Sequence, residues 1–133
     1  LNGKRTLSPR RPLWLAGALI LVLGTGGCGP SATPADHADG RKALQTALDA
    51  WKGGQTPDAL AKSTPSIHVA DDDWDSGLLL QSYKADDEGK LVGTDLNYAV
   101  VLELKNDKGK VTSKKAVYAV STHPQLLVLR QDD

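Results

Sequence analysis

The chain has 133 residues, 16 basic against 16 acidic side chains, three Trp, three Tyr, no Phe, no Met and a single Cys. One cysteine excludes an internal disulfide, and no His/Cys ligand set of zinc spacing is present. All four basic residues before position 28 (Lys4, Arg5, Arg10 and Arg11) lack acidic neighbours, so from Cys28 onward 12 basic residues face 16 acidic ones, and this net negative part is poorly suited to phosphate backbones; nucleic acid is not an expected partner.

The first thirty residues have the order of an export signal: the basic segment, the apolar run "LWLAGALILVLG" from Leu13 to Gly24, then small residues. A helix of that run is about 18 Å long, short of the roughly 30 Å of a hydrocarbon core, which weighs against a signal anchor. Thr25, Gly26 and Gly27 then lead directly into Cys28. This "TGGC" end of an apolar run resembles the lipobox of bacterial lipoproteins. The resemblance implies cleavage before Cys28, a diacylglyceryl group on its sulfur and acylation of its new amino group, hence membrane anchoring on the extracytoplasmic side. Thr25 stands where that family usually has an aliphatic residue. Ordinary secretion, with cleavage near "ATPA" at Ala32–Ala35, is the competing reading.

These segments divide the chain into a signal peptide over 1–27, a lipidated cysteine with a flexible tether over 28–39, and a small domain over 40–133. The tether, "GPSATPADHAD" from Gly29 to Asp39, is small, polar and Pro-bearing, with nothing to bury. It would hold the domain about 20 Å from its anchor.

Asp39 is positioned to cap a helix in which Ala43, Leu44, Ala47, Leu48 and Trp51 form one apolar stripe, ended by Gly53 and Gly54. Thr56 and Pro57 open a second, short helix carrying Leu60. A brief strand over 67–69 precedes a fuller one over 78–85. Between Leu96 and Lys105 apolar and polar residues alternate, the mark of a half-buried strand. The turn "NDKG" from Asn106 to Gly109 reverses the chain. With Gly109 in a left-handed bulge position, Ala116, Tyr118 and Val120 share the face of Tyr98, and that register is expected. "QLLVLR" from Gln125 to Arg130 supplies the last strand. The expected fold is α+β: one main helix and a short second helix on a four-stranded, or five-stranded, antiparallel meander.

Asp71, Asp73 and Asp75 in "DDDWDSG" have the one-three-five spacing of a calcium loop. The match fails beyond it, because Ser76 stands at the glycine position and Ser82 at that of the bidentate Glu. The alternative is a turn capped by an Asp, with Trp74 folded onto the core. His37, His68 and His123 are too scattered to share a metal, and Lys108, Lys110, Lys114 and Lys115 read as a solvated stripe. Trp51, Trp74, Tyr83, Tyr98 and Tyr118 either fill the core or line a pocket between helix and sheet. No phosphate-binding loop, nucleophile elbow or other cofactor motif is present.

The segment from Ala47 to Tyr83, with its "AWK" helix end and "DWDSG" before a strand, and the closing "STHPQLLVLR" resemble a group of short exported proteins and lipoproteins of planctomycete-type bacteria. That resemblance covers about the last 90 residues and implies no activity. The element order is similar to a cystatin-like roll, akin to half of the larger steroid-isomerase-like cone. Two functions follow as expectations. One is a non-enzymatic domain that binds an envelope protein or cell-wall component. The other is a small-molecule or catalytic pocket of the steroid-isomerase-like kind, which needs an enclosed cavity with a buried Asp or His.

Overall fold

The computed structural model describes residues 33–131. The basic segment, the apolar run, Cys28 and the first part of the expected tether lie outside the described residues.

Helix α1 (His37–Lys52) starts three residues earlier than expected. Its cap is Asp36, whose side chain accepts from the Asp39 amide at 2.9 Å, while Asp39 itself lies in the first turn, where its charge suits the helix dipole. The choice between two aspartates is made outside the helix. The Ala35 amide donates to the Thr94 carbonyl at 2.8 Å and the Asp36 amide to Thr122 Oγ1 at 2.9 Å, so the chain is already fixed to the sheet where Asp36 sits. Residues His37 to Asp39 are therefore helical rather than part of a tether. At the other end the Gly53 amide closes on the Asp49 carbonyl, and Gly54 follows at φ +85°. Helix α2 (Pro57–Ala61) has Thr56 as cap and Pro57 in its first turn, as its sequence predicts.

Then come β1 (Ile67–Ala70), the one-turn α3 (Asp72–Asp75), β2 (Leu79–Ala85), β3 (Lys90–Val92), β4 (Asp95–Lys105), β5 (Val111–Ser121) and β6 (Leu126–Gln131). The sheet runs β1-β6-β5-β4-β2, with β3 also on β4. It is α+β as expected, but mixed rather than purely antiparallel. β1 lies parallel to β6, pairing Ile67 with Leu126 and Val69 with Val128, because the chain leaves β1 through α3 and crosses to the far edge before β2 begins. β2 and β3 lie end to end along the same side of β4.

The β4–β5 hairpin has the expected bulged register: Leu96 faces Val120, Tyr98 faces Tyr118 and Val100 faces Ala116. Gly109 sits at φ +81° and its amide donates to the Asn106 carbonyl; Asn106 Oδ1 accepts from the amides of Lys108 and Lys110, both at 2.9 Å. Along β4 every second residue is buried. The inner face it forms with Val120 and Val128 receives Leu44, Leu48 and Trp51 of α1, all at most 2 % exposed. Each such leucine contributes about 1.5–3 kcal/mol of burial.

Candidate functional site

The acidic turn after β1 is organised as a closed charge cluster. Asp71, whose side chain is 0 % exposed, caps α3: its Oδ1 accepts from the Asp73 amide at 2.9 Å and the Trp74 amide at 3.2 Å. Its Oδ2 accepts from the Tyr118 hydroxyl of β5. Arg130 of β6 reaches the same carboxylate through Nη1 at 3.2 and 3.4 Å, and Asp73 Oδ2 through Nη2 at 3.0 Å. Lys114 Nζ completes the set on Asp73 at 2.9 Å. The Arg130 guanidinium also lies 5.9 Å from the centre of the Tyr118 ring.

Two carboxylates and two cations balance, and the protonation equilibria follow. Burial works to raise the Asp73 carboxyl, but hydrogen bonds from Lys114 and Arg130, with their charges, outweigh it and hold the group below its usual value. Burial works to lower Arg130, yet the charge of Asp71 leads the effects that raise it. Tyr118 is pushed well above an ordinary phenol, by burial first and then by the Asp71 charge and hydrogen bond. Asp71 has its acceptor positions filled by donors of this chain, so it has no lone pair aimed at a cavity.

Of the two readings of Asp71, Asp73 and Asp75, the capped turn is the one observed, with Asp71 as the cap. Arg130 pairs with Asp71 and Asp73, Lys114 pairs with Asp73, Asp75 takes no part in the cluster, and no group of His, Cys, Asp and Glu suited to a metal occurs among the described residues. Lys114, read from sequence as one of a solvated stripe, is an ion-pair partner. Arg130 was visible only as the end of a strand. The available sign was its place on the alternation Leu126, Val128, Arg130, where a charge on the inner stripe demands a partner.

Trp51, Trp74, Tyr98 and Tyr118 are buried in the core. Trp51 and Trp74 stack with ring centres 5.2 Å apart and planes 6° from parallel. Both indole N–H groups are satisfied, Trp51 by the Leu78 carbonyl at 2.8 Å and Trp74 by the Gln55 carbonyl at 3.0 Å. Tyr83 lies nearer the surface and donates to Asp49 Oδ1 at 2.8 Å; burial and that carboxylate push its phenol up to about 12. Tyr98 is buried beneath Gly89. The three histidines lie on different elements, in α1, β1 and the β5–β6 turn.

Two concavities lie beside α1. The larger, about 740 Å³, opens between α1, α2 and the inner side of β1 and β6. Ala43, Ala50, Leu60, Ile67 and Leu126 form its floor, and Asp39, Lys42, Thr46, Gln55, Ser63 and Thr64 stand around it. The smaller, about 360 Å³, lies between the start of α1 and the loop before β3. Neither is lined by Asp71 or by a Trp. The chain matches no family model, no curated protein and no solved structure. No helix among the described residues is long and apolar enough to cross a membrane.

Proposed function

We propose that this protein is an exported lipoprotein of the bacterial cell envelope, held to the membrane by lipid on Cys28, whose α+β domain binds an envelope protein or cell-wall component without catalysing a reaction. The groove between α1, α2 and the β1–β6 side of the sheet carries the binding half of this reading. It joins an apolar floor to a rim of hydroxyl, amide and charged groups, a composition suited to recognition. A steroid-isomerase-like pocket would need a buried carboxylate open to a cavity. Asp71 is buried, but Tyr118, Arg130 and two backbone amides engage it, which supports binding over catalysis.

The anchoring half rests on the order of basic segment, apolar run, small residues and Cys28 in the sequence. Several acyl chains, at about 0.8 kcal/mol per buried methylene, would make release negligible. Mass spectrometry of the N-terminal peptide from membranes tests it, with Cys28→Ala as the control. A lipid-bearing peptide beginning at Cys28, and release of the variant from the membrane, are expected. An unmodified cysteine, or equal partitioning of both proteins, refutes the anchor. For the groove, Thr46→Trp fills the space above the floor, and envelope crosslinks that persist unchanged in that variant refute the binding face.

A further inference from the structure

The smaller notch is built from the gap between β2 and β3. β2 ends opposite Val100 and β3 begins opposite Asn97, with the Asp86 amide still bonded to the Ala99 carbonyl at 3.0 Å. Three residues, Asp87, Glu88 and Gly89, thus stand where one residue would face Tyr98, and they fold over its ring. Gly89 lies so close that a Cβ there would be 2.6 Å from Tyr98 Cζ. The Tyr98 side chain is buried, with its hydroxyl beside Gly40 of α1, and among the described residues no hydrogen bond reaches that hydroxyl. Buried polar atoms in folded proteins nearly always have a partner.

Arg41, one turn into α1, lines the same notch and holds Asp87 with both arms of its guanidinium: Nη1 to the Asp87 carbonyl at 2.8 Å and Nη2 to Oδ1 at 3.1 Å. The Asp87 side chain is 89 % exposed, so this pair sits in water and is easily exchanged. We propose that the notch is a binding site for a small carboxylate, which takes the place of the Asp87 side chain on Arg41 Nη2 and accepts from the Tyr98 hydroxyl, Asp87 being an internal stand-in that the ligand displaces. The carboxylate of Asp87 already rests on Arg41 Nη2 at 3.1 Å, which marks the chemistry this position accepts. Ala38 and the Tyr98 ring give the body of the ligand an apolar wall. Asp87 and Glu88 repel an arriving anion while the loop is down, so affinity is governed by Asp87.

Isothermal titration of the full chain with benzoate, and with inorganic phosphate as the competing geometry, tests the assignment. Asp87→Ala is expected to bind benzoate about fivefold more tightly than the unaltered protein, the upper end of what an exposed ion pair opposes. Adding Arg41→Gln should abolish that binding and adding Tyr98→Phe should weaken it. Asp87→Asn, which keeps the side-chain shape, serves if the alanine variant fails to fold. The site is refuted if removing the Asp87 charge leaves benzoate affinity unchanged, or if the gain survives Arg41→Gln. Equal binding of phosphate refutes the carboxylate assignment.

Discussion

The Tyr118 hydroxyl donates to the carboxylate of Asp71, 47 positions earlier in the chain, and that one carboxylate also caps α3 and meets Arg130. A strand, a helical turn and the last strand are thereby fixed to a single side chain.

Removing that side chain should cost more than removing the Tyr118 hydroxyl alone. Asp71→Ala leaves the Arg130 guanidinium, 9 % exposed, without its main counter-charge, and a loss of about 3–5 kcal/mol is expected. Tyr118→Phe removes one donor among several and should cost about 1.5–3 kcal/mol. Urea unfolding of both variants and the double variant measures this. Strictly additive costs would show that the two groups do not act on one another.

Acid should weaken the fold partly through Asp73. Its carboxyl titrates below 3.8 in the folded protein, so as pH falls the unfolded chain takes up the proton first. The contribution is complete above pH 3.8 and disappears as pH drops through the folded value. Unfolding free energies followed into acid should therefore fall more steeply in the unaltered protein than in Asp73→Asn. Parallel curves would contradict the pairing with Lys114 and Arg130.

At the alkaline end all three tyrosines act in the same direction. Burial raises each above 10.0, Tyr83 to about 12 with help from Asp49. Their stabilisation is whole below pH 10.0 and is lost as pH rises through the folded values, since the unfolded chain ionises first. Tyrosinate absorbance should stay low until the protein unfolds, then rise together with the loss of circular dichroism. Substantial ionisation near pH 10 in a folded protein would be inconsistent with the burial described.

Two glycines that both lie near Tyr98 should respond differently to alanine. At Gly40 the new methyl meets the end of the flexible Leu96 side chain at 2.9 Å, and the gain of about 1 kcal/mol in helix propensity offsets the adjustment. At Gly89 it meets three atoms of the Tyr98 ring at 2.6 to 3.0 Å, so the loop must lift, at about 1–3 kcal/mol. Thermal unfolding separates the two; equal midpoints would mean that the loop does not rest on the ring.

Local patterns carried much of the fold. The stripe from Ala43 to Trp51 defines α1, and strict alternation with a glycine-bearing turn sets the β4–β5 register, because both depend on residues a few positions apart. β3 escaped notice at three residues, too short to show a period. The parallel pairing of β1 with β6 joins residues 59 positions apart and leaves no mark in either segment. The same distance hid the charge cluster: a turn capped by an Asp was legible, whereas the union of Asp71 with Arg130 exists only once β1 and β6 are neighbours. The notch was hidden for another reason, since "ADDEGK" has the composition of any solvated loop and only Gly89 hints at a close approach.

The place of β6 between β1 and β5 has a kinetic consequence. The segment synthesised last among the described strands is an interior strand of the sheet, and it supplies Val128 to the core and Arg130 to Asp71. While residues 126–131 are still inside a ribosome, β1 has no partner strand and Asp71 lacks its cation. The domain therefore closes late, after nearly its whole length has emerged, in keeping with the slow folding of topologies rich in long-range pairing.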